Sequence, residues 1–211
     1  GHISLNILNN TTSCSSSSPN YIVTIDQLPT ASILPDPAET CIGIGLLLNG
    51  NPSGGSGVYS THLWSGTDVG SLNLTNIVNP VFTQSSSGTY SLTYTVTDSK
   101  GCIGSDNISV MVDPNANAST DQVLCGTNTT SLSGNLPLVG TGTWTKQSGP
   151  GNVNFSNLNL YNSTATVTLY GSYVLRWTIQ NVTCSTFDEV TIDFNEDPTG
   201  LSAGADQNLC G

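Results

Sequence analysis

The run Tyr90-Ser-Leu-Thr-Tyr-Thr-Val-Thr97, the turn Asp98-Ser-Lys-Gly101, Cys102 and the run Asn107-Ile-Ser-Val-Met-Val112 decide how this chain folds. In both runs apolar residues take every second position, the pattern of a strand with one face buried. Joined by a short glycine-containing turn, they read as a hairpin. The arrangement returns with Tyr173, Leu175, Trp177 and Ile179 alternating, then Cys184, then Val190, Ile192 and Phe194. An earlier copy has Ile3, Leu5 and Ile7, then Cys14, then Tyr21, Val23 and Ile25.

The spacing makes this a repeat. Cys14 and Cys102 are 88 residues apart, and Cys102 and Cys184 are 82 apart. A second set, Cys41, Cys125 and Cys210, is spaced by 84 and 85. A period of about 85 residues suits a β-sandwich of about seven strands. We therefore expect residues 1–28 to be the closing hairpin of a preceding repeat. Residues 29–113 and 114–197 form two complete repeats, and 198–211 open a following one. The chain reads as a segment of a longer array.

Within 29–113, Thr30–Ile33 is expected as a first edge strand and Gly45–Asn49 as a buried second strand. The glycine-rich Gly50–Gly57 reads as a loop. Val58–Trp64 then reads as a third strand and Val81–Gln84 as a weaker one. In 114–197 the matching strands are Thr130–Ser133, Gly140–Trp144, Val153–Phe155 and Thr164–Leu169. Gly, Pro and Asn interrupt the chain too often for a helix. The words Asp121-Gln122 before Cys125 and Asp206-Gln207 before Cys210 are the plainest internal echo.

Only 8% of the 211 residues are charged, 14 acidic against 3 basic. Lys100, Lys146 and Arg176 cannot build a phosphate-neutralising surface, so nucleic acid and anionic membrane are poor partners, and neither nucleic-acid binding nor membrane insertion is expected. No apolar run is long enough to insert in a membrane. Six spaced cysteines without a Cys-x-x-Cys pair point to disulfides in an oxidising compartment rather than zinc.

Pro29-Thr-Ala-Ser32, Cys41 before the second strand, Trp64-Ser-Gly66 and Gly88-Thr-Tyr90 leading to Thr95-Val-Thr-Asp-Ser-Lys-Gly-Cys102 carry a resemblance. The chain resembles PKD/Ig-like repeats of giant Bacteroidota cell-surface adhesins, the gliding-motility type exported by type 9 secretion. The second unit departs from that pattern at Gln180-Asn-Val-Thr183 and at Thr145-Lys146. The resemblance implies an all-β chain of tandem Ig/PKD-like antiparallel sandwiches in a linear rod. It also implies a secreted adhesin or stalk with no catalytic residues.

Sandwich topology bears on the cysteines. The cysteine before the second strand sits at the C-terminal pole of its unit, and the cysteine after the hairpin turn sits at the N-terminal pole. A strand of about seven residues separates the poles by roughly 20 Å, whereas a disulfide needs Cα atoms within about 7 Å. In a head-to-tail array this favours Cys41–Cys184 between neighbouring repeats. Cys14, Cys102, Cys125 and Cys210 then pair with partners outside the segment. The alternative is pairing within repeats, Cys41–Cys102 and Cys125–Cys184.

Reactive chemistry is sparse. A hydrolase triad needs a base, and the only histidines are His2 and His62, the latter read as solvent-facing on its strand. Asp188-Glu189 reads as solubilising hairpin charge rather than a paired-carboxylate site. Asn181-Val-Thr183 is one of several Asn-x-Thr/Ser triplets expected by chance. No cofactor is expected: the acidic residues at the repeat junctions read as solvated linker charge, with calcium at Asp36, Asp113 and Asp121 as the alternative. Trp64, Trp144 and Trp177 read as core residues, with Tyr59 and Tyr161 looser. The expected function is mechanical, spacing a binding tip from the cell and bearing tension at the extracellular surface. Partners would be neighbouring repeats, with surface glycans or other cells beyond them. Two other functions remain open: a carbohydrate-binding module of a secreted glycan-degrading enzyme, and a subunit of a self-assembling surface filament.

Overall fold

The structure, a computed structural model, describes residues 2–8, 10–13, 15–17, 21–22, 24–200 and 204. Cys14 and Cys210 lie outside the described residues. Two compact units emerge: Gly1–Asp36, Leu48–Pro80 and Leu92–Ile108 in one, and Pro37–Leu47, Val81–Ser91 and Ser109–Gly211 in the other.

Two four-stranded sheets share one strand order. The first runs Ala38–Cys41, Ile103–Asp113, Gly88–Asp98, Tyr59–Ser65, and the second runs Gln122–Cys125, Ser185–Asn195, Gly171–Gln180, Thr141–Ser148. Each has the expected long hairpin beside a tryptophan strand. Opposite elements differ in size. Thr129–Ser131, Thr164–Val167 and Val153–Phe155 form a three-stranded sheet. Leu46–Leu47 pairs with Val81–Phe82, and Pro29–Thr30 pairs with Ser53–Gly54.

The hairpin alternation is realised in burial. Leu92, Tyr94 and Val96 are buried in the first unit, and Tyr173, Leu175, Trp177, Ile179, Val190, Ile192 and Phe194 in the second. Trp64 lies directly across from Tyr94, with ring centroids 4.9 Å apart. Trp144 lies across from Trp177, with centroids 5.1 Å apart. The three buried indoles all donate, Trp64 to Ile77 O (2.9 Å), Trp144 to Leu160 O (3.1 Å) and Trp177 to Asn135 O (3.0 Å). A large apolar surface is therefore buried without stranding a polar atom. Gly142 makes room for the Trp177 ring; a Cβ there would meet it at 2.0 Å.

Several expectations change. Ala38–Cys41 and Gln122–Cys125 are strands, each pairing parallel with the last strand of its hairpin. They are too short for periodicity to reveal. The predicted edge strand at Thr30–Ile33 is instead Pro29–Thr30, followed by a single bridge from Leu34 to Asn49. Its partner, Ser53–Gly54, sits inside the glycine-rich stretch read as a loop. Near the N-terminus His2–Ile3 pairs with Tyr21–Ile22 and Asn6–Leu8 with Ser15–Ser17. Leu5 and Ile25, however, are 62% and 91% exposed, not the buried face of a hairpin. A two-stranded pair has a buried face only where another layer packs on it.

His62 also departs from its reading. It shares the Trp64 face, is half-buried, and its Nδ1 lies 2.6 Å from the Tyr94 hydroxyl. Trp64 rather than Leu63 takes the core position, since Leu63 is 52% exposed, and the period of two carries His62 inward with it. Asp188 is no free solubilising charge: its Oδ2 accepts the Ala118 N–H at 2.8 Å, as Asp106 Oδ2 accepts the Ile33 N–H at 2.8 Å. Glu189 pairs with Arg176 through Oε1.

Candidate functional site

Cys41 closes the Ala38–Cys41 strand, where parallel pairing sets it across from Asp113, the last residue of the hairpin. The Ile42 N–H donates to Asp113 O at 3.2 Å. Onto this strand end comes the turn Asn181–Cys184 of the second hairpin. Cys41 and Cys184 form a disulfide with Cα atoms 6.0 Å apart and a sequence separation of 143. Both cysteines belong to the second compact unit, where the bond ties the Ala38–Cys41 strand to the Asn181–Cys184 turn. Pairings of Cys41 with Cys102 and of Cys125 with Cys184 do not occur, and Cys102 and Cys125 are free thiols.

Polar groups reinforce the bridge. Asp113 and Thr40 are fully buried, and the Asp113 carboxylate is a hub. Its Oδ1 accepts the Leu138 and Val139 N–H groups at 2.7 and 2.8 Å, and its Oδ2 accepts Asn181 Nδ2 at 2.7 Å. Asn181 shapes its own turn as well, because its Oδ1 accepts the Thr183 and Cys184 N–H groups at 2.9 and 3.0 Å. Thr183 Oγ1 donates to Glu39 O at 2.6 Å. One amide side chain thus presents Cys184 and grips the buried carboxylate beside Cys41. The bonds to that carboxylate are charge-assisted, so each is shorter and stronger than a neutral one.

Of the calcium candidates, Asp113 accepts three N–H donors, two at Oδ1 and one at Oδ2. Asp121 accepts the Thr191 N–H at 2.8 Å, and Asp36 is exposed. Among the described residues no three His, Cys, Asp or Glu side chains gather as a metal site. In the sequence Asn181 and Thr183 read only as a chance Asn-x-Thr triplet. The signal that would have found them is an Asn or Asp shortly before each hairpin cysteine.

The first hairpin shows the same turn device. Asp98 N donates to Cys102 O at 2.9 Å, and Asp98 Oδ1 accepts the Lys100 and Cys102 N–H groups, each at 2.9 Å. Asp98 Oδ2 accepts the Ser56 N–H at 2.9 Å. Burial pushes this carboxyl upward, but the donors from Ser56, Cys102 and Lys100 outweigh it and hold its pKa below the ordinary value. Burial, then the Asp98 and Asp26 carboxylates, push the Cys102 thiol up, keeping it protonated at neutral pH. Burial and then Tyr59 raise the Tyr94 hydroxyl to about 12.

No protein-family model matches the chain, and no curated protein does. Among solved structures, the three N-terminal domains of the highly immunogenic outer capsid protein of bacteriophage RB49 are similar at 10% identity and TM-score 0.52. They cover 94% of this chain and 79% of their own. The I-band fragment I67–I69 of titin is similar at 11% identity and TM-score 0.48, covering 82% of this chain and 67% of that one. The PKD domain from the KIAA 1837 protein shares 26% identity at TM-score 0.37, over 43% of this chain and 93% of that one. The likeness to the capsid protein and the repeated sheet order make the fold one of Ig-like β-sandwich repeats.

Proposed function

We propose that the chain is a structural repeat segment of a secreted cell-surface adhesin or stalk, bearing tension and spacing a binding tip from the cell. Its repeats are 29–113 and 114–197, and Cys41–Cys184 staples one to the next. The observation that carries this reading is the bridge with its buried Asp113–Asn181 contact. A covalent bond backed by charge-assisted hydrogen bonds suits a joint that is pulled rather than one that turns over. The bridge also fits an oxidising, extracellular compartment. The resemblance of the repeats to Bacteroidota gliding adhesins exported by type 9 secretion belongs to the same proposal.

The chain is not an enzyme in this reading. His62 is engaged by Tyr94, and Asp188 and Glu189 are held by Ala118 and Arg176. Carbohydrate binding would use free aromatic faces; the Phe187 ring carries the Arg176 guanidinium 4.0 Å from its centroid, and Tyr161 and Tyr170 are the other exposed rings among the described residues. The test is single-molecule pulling from both termini, oxidised and reduced. The bridged chain should yield less length before it stops extending; equal yields would remove the tension-bearing role.

A further inference from the structure

Among the described residues the joint is closed once, at Cys41–Cys184, and its two halves recur singly at Cys125 and at Cys102. Cys125 stands where Cys41 stands. It ends a short strand parallel to the last strand of the second hairpin, across from Asn195 as Cys41 is across from Asp113. The next residue donates its N–H to that facing carbonyl in both copies, Gly126 to Asn195 O at 2.9 Å and Ile42 to Asp113 O at 3.2 Å. Burial is what differs: Cys41 is 0% exposed, while Cys125 and Asn195 are exposed. In the filled copy the cover over Cys41 is a cysteine-bearing turn with an Asn at its start. The filled copy thus names the occupant that the open copy lacks.

We propose that Cys125, with Gly126 and Asn195, is a socket for the hairpin turn of another Ig-like unit of this kind, closed by a disulfide to that turn's cysteine. The matching plug is the Asp98–Cys102 turn, which repeats the Asn181–Cys184 hydrogen bonds with one residue more. Among the described residues the chain then carries one closed joint, one open socket and one open plug, so the linkage continues from repeat to repeat. This rests on the reading of the chain as a repeat segment. Joining two thiols releases two protons and two electrons. A low-molecular-weight disulfide such as glutathione disulfide accepts them and leaves as two thiols.

The experiment repeats residues 114–197 after Asp197, ahead of the native 198–211, and folds the longer chain in a glutathione redox buffer. Non-reducing peptide mapping should recover Cys125 joined to the added unit's counterpart of Cys184, alongside Cys41–Cys184. Changing that added cysteine to serine should return Cys125 to alkylation. A Cys125 that stays alkylatable while Cys41–Cys184 is intact overturns the socket and leaves the tension-bearing reading standing. The native 211-residue chain supplies a second measurement. An open socket requires Cys125 to alkylate several-fold faster than Cys102, and a slower Cys125 overturns the proposal without any need for the longer chain.

Discussion

Cutting the joint at one sulfur should change how far the chain can be drawn out, and the structure sets the amount. In Cys184→Ser, residues between 41 and 184 become available to an applied force that the disulfide otherwise bypasses. The separation is 143 residues, and an extended residue spans about 3.4 Å, so the bridge hides about 490 Å of contour. The bridge itself contributes only the 6.0 Å between its Cα atoms. Most of both tryptophan cores lies inside that loop. Force on the oxidised chain can therefore peel only the ends, including the Ala38–Cys41 and Ser185–Asn195 strands. The assay is atomic-force or optical-trap pulling with handles at the two termini. The oxidised native chain should stop about 490 Å short of Cys184→Ser, and reductant should erase the difference. Equal final lengths in oxidised native chain and variant would refute the reasoning, because no bridge would then span the loop. The same bridge should stabilise against unfolding by about 5 kcal/mol in the chain-entropy model.

Asp113→Ala leaves the Leu138 and Val139 N–H groups and Asn181 Nδ2 without their buried acceptor. It should cost about 2 kcal/mol or more in urea unfolding, with a double-mutant cycle to Asn181→Ala showing strong coupling. Trp144→Ala removes a fully buried ring from the second core and should cost about 3–5 kcal/mol. Gly142→Ala should cost about 1–3 kcal/mol, because its Cβ drives into the Trp177 ring; an unchanged urea midpoint would refute that packing. Acid should drain stability through Asp98. Its folded pKa lies below the unfolded value, so its contribution is complete above about pH 3.9 and disappears as pH falls through the folded value. Asp98→Asn should flatten that limb of the stability–pH curve. Tyr94 works at the other end. With a folded value of about 12, its contribution holds below about pH 10 and is lost as pH rises toward the folded value. Tyr94→Phe should flatten the alkaline limb.

The two hairpins, their tryptophan partners and the all-β class were legible because a strand writes its buried face into every second residue. Tyr173, Leu175, Trp177 and Ile179 needed no partner to be named core. The cysteine period was equally plain, since counting needs no coordinates. Ala38–Cys41 and Gln122–Cys125 were not legible, because four residues hold too little alternation and parallel pairing is a non-local choice. The joint belongs to tertiary structure for the same reason. Asp113 and Asn181 are polar residues of the kind that fill loops everywhere. They become a hub only because the chain returns after 68 residues to bring amide and carboxylate within 2.7 Å. Sequence by itself determined what alternates and what recurs. The tertiary structure decided which ends meet, because that meeting depends on strand lengths and handedness summed over the whole unit rather than on any residue's own preference.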